Sequence, residues 1–247
     1  MLDYSSPWLI GASLNAVLFL IAFILPKKLL TPAGYFHAWI LGVLVWGTLQ
    51  WKGYLVVMFY FLVGSAVTKV GIKQKEAAGI AEKRSGARGP ENVWGSALIA
   101  SICAIMTIFA QQPWQDLLLL GYVASFSTKL SDTCASEIGK VYGKRTFLIT
   151  TFQPVPKGTE GAVSLEGTLA GVVASLVISL IAWFIGMINI IGVVICVISA
   201  FIATNLESVI GATLQTKFNW LTNEIVNIIN TFIGAVVAII SGLILRV

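Results

Sequence analysis

Asp132 and Glu137 lie in the run Ser131-Asp132-Thr133-Cys134-Ala135-Ser136-Glu137-Ile138-Gly139-Lys140, where an apolar stretch gives way to polar residues. On a helix Asp132 and Ser136 share a face, as do Thr133 and Glu137. Carboxylates beside hydroxyls make an oxygen-rich setting for a hard cation, and Mg²⁺ is usually held by one or two carboxylates plus substrate phosphates. Acids at the edge of a membrane segment are rare enough to read as functional; the competing reading is a solvated helix end. A second segment, Lys157-Gly158-Thr159-Glu160-Gly161 and on through Ser164 to Gly167, leads into an apolar run. Glycines let backbone N–H groups approach an anion, a helix start adds unpaired donors, and Lys157 adds a full positive charge. A connector that merely turns the chain has the same composition.

Three further groups join these. Lys69, Lys75, Arg88 and Asn92 border two apolar runs and can clamp a phosphate at headgroup level, whereas Lys83 and Arg84 read as anchoring charges. Residues 73–84 suit a short amphipathic helix on the membrane surface, broken by Gly86, Gly89 and Pro90. Glu207 and Ser208 follow the seventh apolar run directly. Thr222 or Asn223 suits a helix cap, and Glu224, Asn227 and Thr231 form a stripe that should face a bundle interior. The single histidine, His37, reads as a packing or interfacial residue, and the three cysteines show no zinc spacing.

The elements that must position these groups are apolar. Hydrophobic residues make up 57% of the 247 residues, charged ones 11%, and mean hydropathy is +0.89, which is the composition of a polytopic helical membrane protein. Eight spans are expected, at 8–25, 35–51, 54–69, 93–110, 114–130, 165–185, 188–204 and 225–245. Each is close to the ~20 residues needed to cross a hydrocarbon layer of about 30 Å. Loops after odd-numbered spans share a face, and of the sixteen Lys and Arg all but Lys52 and Arg246 fall there. The positive-inside rule then puts that face in the cytoplasm and both termini outside. Acids partition likewise: only Asp3 and Asp116 of the eleven fall on the other face. The long polar loops, about 71–92, 131–164 and 205–224, are too short for a soluble domain, so a single transmembrane domain over 1–247 is expected. Asp3 before the first span and Lys27-Lys28 after it argue against a cleaved signal peptide. The basic pI of 9.2 comes from juxtamembrane charge with no aromatic–basic interleaving, which points to anionic lipid or phosphorylated substrates, not nucleic acid.

Four pieces, Ser-Asp-Thr-x-Ala-Ser-Glu-Ile-Gly at 131–139, Val-Pro-Lys-Gly-Thr-x-Gly-x-Val-Ser-x-x-Gly-Thr at 155–168, Glu-Ser-x-x-Gly-Ala-x-x-Gln at 207–215 and Thr-Asn-Glu-x-Val-Asn at 222–227, resemble one integral membrane family. It includes transmembrane protein 19 and the plant phytyl-phosphate kinase of tocopherol synthesis; Lys75, Gly79, Arg88 and Asn92 match as well. The resemblance implies a Mg²⁺-dependent kinase that moves the γ-phosphate of a nucleoside triphosphate to phytyl or another prenyl monophosphate, giving the diphosphate. CTP is the donor favoured by related polyprenol kinases, and a bacterial inner or photosynthetic membrane is implied, with the site facing the cytoplasm. A phosphate monoester is already anionic near neutral pH, so the chemistry needs charge neutralisation more than a general base.

On that footing Asp132, Glu137 and Lys157 are expected to be catalytic, with Glu207 joining the two acids at the metal. Lys144, Lys157, Gly158, Thr159, Gly161 and Ser164 are expected around the nucleotide phosphates. Lys75, Arg88, Asn92, Asn223 and Asn227 are expected at the lipid phosphate. A CTP-dependent lipid-phosphate cytidylyltransferase uses the same reactants and stays open. So does a transporter of an anionic substrate, although that would favour broken mid-bilayer helices and inverted halves, and the polar clusters here crowd one face without a clear repeat.

Overall fold

A computed structural model describes residues 6–24, 29–215 and 217–247. Asp3, Leu25, Lys27 and Lys28, which carry part of the orientation argument, lie outside these. The described residues form eight α-helices: α1 (Pro7–Ile24), α2 (Pro32–Lys69), α3 (Ile72–Ala77), α4 (Pro90–Met106), α5 (Trp114–Tyr142), α6 (Leu165–Phe184), α7 (Ile190–Ile210) and α8 (Asn223–Leu245). Short strands β1 (Phe147–Leu148) and β2 (Ala162–Val163) pair antiparallel in the loop after α5. Helices α1, α2, α6, α8 and the α7 segment extended to Gln215 are long and apolar enough to cross a membrane. Helices satisfy their own backbone polar groups, which hydrocarbon demands.

Polar residues set the helix starts. Thr31 accepts from the Gly34 N–H at 3.0 Å with Pro32 in the first turn, and Ser164, Asn189 and Thr222 cap α6, α7 and α8 in the same way. The long α2 contains both expected spans 35–51 and 54–69. It reverses at Gln50, whose φ of +53° is not helical. Arg88 lies beside both ends of the resulting pair of arms: its carbonyl accepts from Thr31 N–H at 3.0 Å, and its guanidinium donates to Tyr60 at 2.8 Å. At the turn, Lys52 instead donates to the Gly186 carbonyl at 3.3 Å, between α6 and α7.

Helix α5 packs against α2, α4, α6, α7 and α8. Its middle, Gly121 to Ser131, is buried throughout because Gly, Ala and Ser let neighbouring backbones come close. It runs to Tyr142, twelve residues past the span expected at 114–130, so the acids at 132 and 137 are part of one rigid rod. The surface helix expected over 73–84 is shorter. It ends at Ala77, where Gly79 turns left-handed (φ +70°) and Ile80 N–H closes on the Lys75 carbonyl. Pro90 opens α4 instead of only breaking what precedes it. His37 accepts from the Trp94 indole N–H at 2.9 Å, and Cys103, Cys134 and Cys196 are buried free thiols.

Candidate active site

The last turns of α5 carry Lys129, Asp132, Glu137 and Lys140 into a cavity of about 810 Å³ at the end of the bundle. Two loops close over it. Lys140 of α5 donates to Glu82 of the first loop at 3.2 Å, and Lys157 of the second donates to the Val141 carbonyl at 3.1 Å. Gly161 packs on the end of α7. Its φ is +76°, and a Cβ there would stand 2.6 Å from the Ser208 carbonyl oxygen and 2.5 Å from Ala212 Cβ. Glycine is therefore required by conformation and by contact. Gly161→Ala is expected to destabilise the detergent-solubilised protein by about 2 kcal/mol, read as a lowered thermal midpoint.

Asp132, Glu137, Glu207 and Lys157 all line this one cavity, as do Gly158, Thr159, Gly161 and Ser164. Arg88, Asn92, Asn223 and Asn227 line it as well. Two expected residues do not. Lys144 is exposed beyond the rim, where only its backbone N–H engages the site's neighbourhood, donating to Glu166 at 3.3 Å. Lys75 is fully buried behind the wall, drawn in by an ion pair with Glu137 and a 2.7 Å hydrogen bond to the Thr68 carbonyl.

The acids differ in their engagements. Glu137 is held between Lys75 and, at 2.9 Å, Lys140, so both its oxygens are neutralised. Asp132 gives one oxygen to Lys129 Nζ at 2.6 Å; Lys129 also donates to Asn227 Oδ1 at 2.7 Å. Glu207 has no ion-pair partner among the described residues but stands near enough to sense Asp132, Lys129 and Glu160. Partial burial opposes ionisation of Glu82, yet Lys140 beside it, with Lys129 and Lys75 further off, holds its carboxyl below the usual carboxylate range. Ser164 is occupied in capping α6, Asn92 accepts from Gly89 N–H at 3.0 Å, and Arg88 stacks on Tyr60 at 5.1 Å. Asn223 accepts from the Gln215 amide.

Lys129 and Glu160 escaped the sequence reading. Lys129 had a visible signal: a lysine at the end of an apolar run, one helical turn from an acid. Glu160 had none, since only the fold of the 131–164 loop brings it beside Glu207. Seven carboxylates and five basic side chains line the cavity. Lys75 behind the wall offsets one of the acids. Among the described residues no three His, Cys, Asp or Glu converge to hold a metal. Asp132 with Glu207 nonetheless fits the one or two carboxylates that a phosphate-bridged Mg²⁺ needs.

A helical bundle with apolar spans and a charged cavity at one end of it defines an integral membrane protein. The chain belongs to the integral membrane protein family DUF92, whose model matches residues 15–235. It is 66% identical to membrane protein sll0875 of Synechocystis sp., over 94% of this chain and 90% of the relative. It is 44% identical to Protein VTE6, chloroplastic, of Arabidopsis thaliana (97% and 74%), and 33% identical to membrane protein MJ0933 of Methanocaldococcus jannaschii (87% and 86%). No solved structure matches.

Proposed function

We propose that the protein is a Mg²⁺-dependent isoprenoid-phosphate kinase, transferring the γ-phosphate of a nucleoside triphosphate, CTP foremost, to phytyl or a related prenyl monophosphate. The observation that carries this reading is the single cavity in which carboxylates from α5 and α7 meet basic groups from α5 and two loops. The motif resemblance to the family of the plant phytyl-phosphate kinase and the 44% identity to the chloroplast relative support it. The cyanobacterial relative supports a bacterial or photosynthetic membrane, and the positive-inside rule a cytoplasmic site.

In this reading Asp132 and Glu207 hold the Mg²⁺, which when bound neutralises and orients the donor phosphates. Glu137 acts through Lys75 and Lys140, fixing the first loop against α5. Lys157, Gly158, Thr159 and Gly161 lie along the nucleotide phosphates; Ser164 holds α6 in place through its cap. Lys129, fixed between Asp132 and Asn227, points its charge at the transferred phosphoryl group, and Arg88 with Asn92, Asn223 and Asn227 receives the lipid phosphate. The acceptor is already an anion, so the work is to align two polyanions and spread the charge of a loose transition state.

The test is purified protein in detergent with phytyl and geranylgeranyl monophosphates, Mg²⁺ and a panel of labelled nucleotides. The γ-label is expected in the lipid, and chelation by EDTA should stop its transfer. The α-label entering the lipid would instead mean nucleotidyl transfer, and uptake into proteoliposomes without nucleotide consumption would mean transport.

A further inference from the structure

One wall of the cavity is unlike the rest. Helices α4, α5 and α8 line it with polar groups such as Ser96, Asp132 and Asn227, whereas α6 and α7 add the apolar Val172 and Phe201 to polar liners such as Thr168 and Asn205. Val172 is partly exposed and Phe201 is 46% exposed, and each is flanked by exposed apolar residues that do not line the cavity, Leu169 and Val173 on α6 and Ile198 and Ile202 on α7, so both stand where the cavity meets the apolar outer surface. Val172 lies two turns into α6 and Phe201 two and a half turns before the end of α7, both roughly 10–14 Å below the helix ends at 1.5 Å per residue. They share a layer.

Packing explains the asymmetry. Gly171 draws α6 onto α5, where an added Cβ would stand 2.8 Å from Ser131 Oγ. One turn from Phe201, Thr204 lines the cavity with a buried hydroxyl that has no hydrogen-bond partner among the described residues.

We infer that the seam between α6 and α7 is where the isoprenoid chain of the substrate passes from the bilayer to the cavity, with Val172 and Phe201 touching the chain and Thr204 meeting its phosphate. This rests on the lipid-phosphate reading above. A long isoprenoid tail remains in hydrocarbon because each CH₂ removed from water contributes about 0.8 kcal/mol. Its headgroup must nevertheless reach the carboxylates. A lateral opening meets both demands, and the residues at its lip select for chain class.

Val172→Trp fills the seam. Its expected effect is a KM for a twenty-carbon isoprenoid monophosphate raised at least about tenfold, with kcat/KM for isopentenyl monophosphate, which has no tail to thread, within about twofold of wild type. Equal loss on both acceptors, or no change on the long one, overturns the seam. Labelling gives an answer independent of turnover and of how well that variant folds. Phe201→Cys is expected to react with a prenyl monophosphate bearing a tail-end maleimide faster than Phe232→Cys, a lipid-exposed position on α8 outside the cavity, and phytyl phosphate should slow it. Equal rates, or no competition, overturn the proposal. Wild-type protein that phosphorylates neither acceptor refutes the kinase reading, and the labelling then still decides the seam.

Discussion

Asp132→Asn is expected to lower kcat for phosphoryl transfer about 10³-fold and, because it leaves the buried Lys129 without its counter-charge, to lower the thermal midpoint as well. The fold nevertheless survives, so kcat can be read on folded protein. One Asp132 oxygen accepts from Lys129 Nζ at 2.6 Å, and Lys129 is tied in turn to Asn227 on α8. An asparagine turns its amide oxygen to Lys129 and keeps that contact, so α5 and α8 remain joined. Its NH₂ then replaces the second carboxylate oxygen, presenting a donor where a metal needs an acceptor. Glu207 alone is left to face the metal, and higher Mg²⁺ concentration should restore part of the lost rate. Activity within about tenfold of wild type would remove Asp132 from the metal site.

Why the sequence revealed some of this and not the rest follows from where the signals are local. The apolar runs fall where α1, both arms of α2, and α4 to α8 lie, because a helix in hydrocarbon is a property of its own twenty residues. The break expected at Lys52-Gly53 falls two residues earlier, at Gln50. The extension of α5 to Tyr142 was hidden. Its charged end reads as loop by hydropathy, yet it is helical, and Lys129, Glu137 and Lys140 find partners on other elements in Asn227, Lys75 and Glu82. Within the site, Asp132 and the Lys157–Gly161 loop stood out by composition. Which charges face the cavity and which are cancelled within its wall depends on pairings between distant segments, as Lys75 with Glu137 shows, and periodicity contains no record of those.

That pair makes the sharpest separation between a residue that binds substrate and one that builds the site. Lys75 is wholly buried and Glu137 nearly so. Removing one member of a buried ion pair leaves a charge without its counter-charge, which costs about 3–5 kcal/mol. Lys75→Met is expected at the lower end, because Lys140 still attends Glu137 at 2.9 Å. Glu137→Gln is expected higher, since Lys75 then retains only the Thr68 carbonyl. The double variant Lys75→Met/Glu137→Met removes both charges and fills their space with apolar atoms, so its stability should return to within about 1 kcal/mol of wild type. Thermal unfolding of the four proteins in detergent closes the cycle. A lysine that gripped the lipid phosphate would behave otherwise: its loss would raise KM for the acceptor, leave the midpoint in place, and gain nothing from the second substitution. The two outcomes differ because Lys75 can neutralise Glu137 or a substrate phosphate, and a side chain with no exposed surface serves the partner already beside it.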